Sequence, residues 1–84
     1  MELKDTIQMM DNADYKERFR AEYFQLKIRY VKLDKMLEKW RNNELDFEPS
    51  CPYKMLAEQL DLMWKYLIIL EMRARIENVD LKEV

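Results

Sequence analysis

Residues 19–40 read FRAEYFQLKIRYVKLDKMLEKW, and within them Phe19, Tyr23, Leu26, Tyr30, Leu33, Leu37 and Trp40 recur at alternating steps of four and three. The alternation returns in Tyr53, Leu56, Leu60, Met63, Leu67, Leu70 and Ala74. Side chains at that spacing come back to one face of an α-helix, so each stretch presents a continuous apolar seam. Two matched seams predict an all-α fold: an antiparallel helical hairpin of two long helices, packed in the manner of a coiled coil.

Outward from the seams, helix breakers are confined to a few places. The chain has no glycine, and its two prolines, Pro49 and Pro52, stand together in the middle. Asp14, with Glu17 three residues on, can form a reciprocal cap for a first helix over residues 14–42. Asn42 and Asn43 favour its C-terminal end, and the residue before Pro49 is pushed out of the helical region. Residues 43–50 form a linker. Ser50 or Cys51 caps a second helix over residues 51–78, with Pro52 in its first turn, where a missing N–H costs nothing. Residues 1–13, with Leu3, Ile7 and Met10 at helical spacing, give a short arm, and Leu81 offers one more apolar anchor in the tail, 79–84. All 84 residues make one helical-hairpin domain.

A domain of this size buries roughly 60–65% of its unfolded surface, so its margin of stability is thin. A lone cysteine, Cys51, beside seven methionines fits a reducing compartment, and the residue reads as a small buried cap or plug. The N-terminus lacks a basic-then-apolar leader, and the longest apolar run, Tyr66 to Leu70, is far short of the ~20 residues that span a bilayer. The expected location is the cytoplasm, with no membrane partner.

Further apolar stripes lie off the seam. Phe24, Ile28 and Val31 fall on nearly the opposite side of the first helix, and the second carries Leu62, Tyr66, Ile69 and Ile76 on one line and Trp64, Ile68 and Met72 on another. A two-helix hairpin gives each helix only one partner face, which leaves these stripes in water at ~25 cal/mol per Å². They predict a homo-oligomer, a dimer or higher, with a bundle of four or more helices; the competing occupant is a different protein.

Charge is unevenly spread. The net is −2, yet between Tyr15 and Asn42 nine Lys/Arg face four acids. That strip can meet acidic segments or an anion, although overall acidity disfavours nucleic acid. No histidine is present, which removes imidazole nucleophile pairs and imidazole-bound metals. Without glycine there is no phosphate-cradling loop. Cys51 has no base beside it, and Asp46, Glu48, Glu58 and Asp61 lack the spacing of a calcium loop. The sequence points to no enzyme, no metal site and no cofactor. What remains is a set of polar groups on apolar faces: Tyr23, Arg29, Tyr30, Lys32, Gln59, Tyr66 and Arg73. They have two readings. One is structural, with tyrosines at a bundle edge and Arg73 paired with a glutamate. The other is a pocket between subunits, with Arg29, Lys32, Arg73 and Arg75 supplying charge and the tyrosines and Trp64 supplying stacking faces.

The run Tyr15 to Tyr30, the stretch Leu33 through Trp40, the segment Leu45 to Pro52, and Leu56, Gln59, Met63, Tyr66, Leu70, Glu71 and Arg73 resemble a group of short proteins encoded by tailed bacteriophages and prophages. The resemblance covers about Tyr15 to Leu81. It implies a viral accessory protein that is dispensable for building particles, similar to antagonists of host defence that act by binding. Such proteins sequester a cyclic-nucleotide alarm signal between subunits, or block a host defence protein by direct contact.

Overall fold

The computed structural model describes residues 1–83 and contains, in chain order, a 3₁₀ turn Leu3–Thr6, a short helix α1 (Ile7–Met10), and two long helices, α2 (Tyr15–Arg41) and α3 (Tyr53–Glu77). No strand occurs among the described residues. At 1.5 Å per residue the 27 residues of α2 run about 40 Å, matching the 43 Å long axis of the molecule.

Each helix end has a local chemical cause. Asp14 caps α2 by accepting from the Lys16 N–H at 2.9 Å. Its own N–H goes to Asn12 Oδ1 at 2.8 Å rather than to Glu17, whose carboxylate turns to Arg20 at 3.5 Å. Asn12 precedes the cap and so reaches its N–H without bending back along the helix, which is why the expected reciprocal cap is not formed. At the far end Asn43 takes a positive φ of 57°, and the Glu44 N–H donates to the Lys39 carbonyl at 2.8 Å. Asn78 repeats the device after α3, with φ 61° and the Val79 N–H donating to the Ala74 carbonyl at 2.8 Å. Asparagine takes the place that glycine usually fills in such a motif, because its short amide tolerates the left-handed region. At the start of α3, Pro52 itself is the capping residue, displacing Ser50 and Cys51 from that role, and Cys51 is exposed rather than a buried plug.

The two seams meet along their whole length. Every one of the fourteen seam residues is buried or half-buried, and Phe19, Tyr23, Leu67, Leu70 and Ala74 join one core with Phe24 and Val79. Burying a side chain of the Leu or Phe class contributes about 1.5–3 kcal/mol, so this line dominates the stability. At the linker end Trp40 meets the Tyr53 ring edge-on, centroids 5.3 Å apart, and Arg41 donates to the Tyr53 hydroxyl at 2.8 Å.

Phe24 requires a correction. The sequence placed it on a stripe awaiting a second subunit, yet it is 1% exposed within a single copy. The N-terminal arm and the C-terminal tail fold back over this part of α2. Buried Thr6 accepts from Gln25 Nε2 at 3.0 Å, Met9 and Leu81 pack against the core, and Val79 enters it. Arg20, almost wholly buried, lies 5.2 Å over the Phe24 ring and donates to the Asp80 carbonyl, pinning the tail. Ile28 is half-buried and Val31 is exposed, so only the end of that stripe stays open.

Truncating Phe24 therefore tests folding rather than docking. Phe24→Ala is expected to cost about 3–5 kcal/mol through lost burial and the cavity left behind. Urea unfolding followed by circular dichroism reads this as a lower midpoint; an unchanged midpoint would mean that the arm and tail do not cover this ring.

Candidate anion-binding site

Along the edges of the α2–α3 seam, tyrosines of one helix reach carboxylates of the other. Tyr23 on α2 donates to Glu71 on α3 at 2.8 Å, Tyr15 on α2 donates to Glu77 on α3 at 2.6 Å, and Tyr66 on α3 donates to Glu22 on α2. Residues 64 and 71 share one line of α3 and residues 66 and 73 another; two residues are 200° apart, so the lines flank opposite sides of the seam. On the first side Trp64 packs against Tyr30, ring centroids 5.8 Å apart, next to the Tyr23–Glu71 pair. On the second, Arg73 donates to Glu77 and to the Tyr15 hydroxyl, both at 3.1 Å, with its guanidinium 5.0 Å over the Phe19 ring.

These contacts shift the groups involved. Burial, then the hydrogen bond to Glu71, pushes the Tyr23 hydroxyl up to about 12. Tyr15 and Tyr66 are raised chiefly by their bonds to Glu77 and Glu22, and Glu77 is lowered, first by the Tyr15 hydroxyl and then by Arg73. Each tyrosine keeps its proton in order to donate it to an anion. An anionic ligand arriving at either edge would meet Glu22, Glu71 or Glu77 already holding the donors.

The far side of α2 has the opposite character. Lys27, Lys32 and Lys35, with Phe24, Ile28 and Val31 beneath them, line a groove of about 260 Å³ closed by Met1 and Glu83. A second groove, about 390 Å³, shares Lys32 and Lys35 and adds Met36, Lys39 and the linker residues Glu44, Leu45, Asp46 and Phe47. All four lysines are exposed, and none is in an ion pair among the described residues. Lys32, Lys35 and Lys39 follow the helical three-four step, so their ammonium groups form a ladder on one face. A lysine ladder over an apolar floor suits an amphipathic anion, with phosphate oxygens on the ammonium groups and an apolar or aromatic part on the floor.

The seven residues expected to gather around a ligand are thus dispersed. Tyr23 and Tyr30 lie on one edge of the seam, Tyr66 and Arg73 on the other, Arg29 and Gln59 stand exposed, and only Lys32 lines the basic grooves. Lys27, Lys35 and Lys39 were visible in the sequence as part of the basic strip. The common face of Lys32, Lys35 and Lys39 follows from their spacing and was not singled out; the arm, tail and linker segments that wall it into grooves come from the fold. Among the described residues no cluster of three or more Cys, Asp or Glu is arranged to hold a metal ion, and no helix is long and apolar enough to cross a membrane.

A family model described as Sequestin matches residues 13–76, more than half of the chain. No match was found among curated proteins or among solved structures.

The raised Tyr23 hydroxyl gives a pH signature. Below pH 10 folded and unfolded chains both keep this proton; between pH 10 and about 12 only the folded chain does, so stability falls as pH rises through that window. Ultraviolet titration of the folded protein is expected to show one tyrosine ionising last, near 12, and Tyr23→Phe to remove that step. Persistence of the step in the variant would assign it to another tyrosine.

Proposed function

We propose that this chain, which belongs to the Sequestin family, is a non-enzymatic binding protein that sequesters a small anionic ligand of the cyclic-nucleotide kind. The family's name points to sequestration, and Lys32 and Lys35, which both basic grooves share, beside the apolar floor of Ile28 and Val31 carry the choice of ligand. A nucleotide supplies what such a groove takes: a flat base for the apolar floor and phosphates for the ammonium groups. The resemblance to bacteriophage accessory proteins supports a role in host cytoplasm during infection, where removing an alarm signal would blunt a defence response. The candidates Tyr23, Tyr66 and Arg73 at the seam edges serve better as clasps, since Glu71, Glu22 and Glu77 already take their donors.

A second reading is a module that blocks a host defence protein by direct contact, and the exposed apolar side of α3 favours it.

Thermal melting against a panel of cyclic di- and trinucleotides separates the two. A ligand present at 100 times its dissociation constant adds about 2.7 kcal/mol, which raises the midpoint of a domain this size by roughly 10 °C or more. Lys32→Glu with Lys35→Glu is expected to abolish the shift, and added salt to weaken it. No shift with any compound would overturn the ligand reading. A shift that survives the lysine changes but is lost in Tyr66→Phe with Arg73→Gln would move the site to the seam edge.

A further inference from the structure

The chain reverses at Asn78 after α3, and residues 79–83 carry no regular secondary structure. They lie back across α2 and are held unevenly. Val79 is buried in the core and the Asn78 carbonyl accepts from Lys16 Nζ at 3.1 Å, so the near end is firmly seated. Beyond it the hold on α2 thins to a hydrogen bond from Arg20 to the Asp80 carbonyl and a half-buried Leu81. The Lys82 N–H donates to Asp80 Oδ1 at 2.9 Å, a bond within the tail that adds nothing to that hold. Sparse apolar burial and exposed backbone mark a segment that opens by itself while the seam stays closed.

What the far end does while closed is set by charge. Glu83 lines the same groove as Lys32, Lys35, Ile28 and Val31. Its carboxylate is in no ion pair among the described residues, and neither lysine is in one. The groove thus holds one negative charge of its own among ammonium groups that would otherwise be open to an anion. A phosphate entering from solution meets that carboxylate as a like charge, which lowers the attraction the lysines provide.

We propose, resting on that groove as the anion site, that residues 80–83 form a self-inhibitory strap: Arg20 and Leu81 hold it down, Glu83 stands in the groove, and an arriving anion displaces the strap by swinging it away from α2 about Val79. Arg20 is a positioning residue in this device. Its guanidinium is almost wholly buried over the Phe24 ring, its Nε makes no hydrogen bond, and it acts on the groove only through the Asp80 carbonyl. Strap opening and anion binding are linked, so whatever loosens the strap tightens the anion, and the anion loosens the strap by the same factor.

Calorimetric titration of the full chain with inorganic pyrophosphate at low salt reads the device. Glu83→Gln, at an exposed site, removes the charge and leaves the strap fastened; it is expected to tighten binding by about fivefold or more. Leu81→Ser keeps the charge and loosens the strap, and should shift affinity in the same direction. The two together should gain no more than the larger single change, because both act through one carboxylate. Glu58→Gln, which removes an equal charge on α3, should change nothing. On adding pyrophosphate to the wild-type chain, the heteronuclear NOE of the residue 80–83 amides should fall while the amides of α2 and α3 hold theirs. Binding by the wild type that Glu83→Gln does not tighten overturns the strap and leaves the groove reading standing. Additive gains in the double variant, or tail amides indifferent to pyrophosphate, overturn displacement as the mechanism. No binding to either the wild type or Glu83→Gln overturns the groove reading itself, and the strap with it.

Discussion

Water is excluded from one line of contact, the seam between α2 and α3, and the rest of the molecule is arranged around that fact. An isolated helix of this composition has no reason to persist, since its stability comes from packing an apolar face rather than from backbone propensity. Phe19, Tyr23, Leu67, Leu70 and Ala74 close the seam at the end where the chain termini return, and Trp40 with Tyr53 closes it at the linker. Because the seam fixes the rotation of both helices, it also fixes which residues stand at its edges and which face away. The edges hold the tyrosine–carboxylate pairs, and the outer faces hold the lysine ladder of α2 and the apolar line of α3.

The edge pairs illustrate how a chain without histidine or glycine specifies register. Tyr15 with Glu77, Tyr23 with Glu71 and Tyr66 with Glu22 each bridge the two helices, and the last runs in the opposite sense to the others. A slip of one helical turn would break all three together and strand a buried Tyr23 hydroxyl, which carries a desolvation penalty unless it is hydrogen-bonded. The apolar seam alone is more permissive, since Leu and Met side chains repack at modest cost. Polar edges thus choose one alignment among those the seam would allow. The same residues had looked like ligand contacts, because an aromatic hydroxyl and a guanidinium on an apolar line suit either role until their partners are known.

The outer faces divide the chemistry. On α2, like charges are held together over an apolar floor, an arrangement that favours an anion from solution and disfavours another basic surface. On α3, apolar residues predominate and the flanking charges reverse in sign along the helix. A hairpin with one polyvalent basic face and one apolar face can bind on one side and associate on the other without either event obstructing the other. The sequestering role that the family name suggests is compatible with that division.

The pattern of apolar residues was sufficient to determine the two long helices and every one of the fourteen seam positions, because helical periodicity is a local property that needs only the order of residues. The end of the first helix at Asn42 and Asn43 was readable from an equally local cause, the tolerance of asparagine for a helix C-terminus. Only the tertiary structure decided that the arm and tail cover Phe24, that Arg20 is buried beneath Asp80, that Tyr15, Tyr23 and Tyr66 spend their hydroxyls on glutamates, and that Met1, Glu83 and the linker wall the grooves beside Lys32 and Lys35. Each of these depends on a contact between residues far apart in the chain. Periodicity tells which side of a helix a residue occupies, but what lies against that side is set by how the whole chain closes on itself.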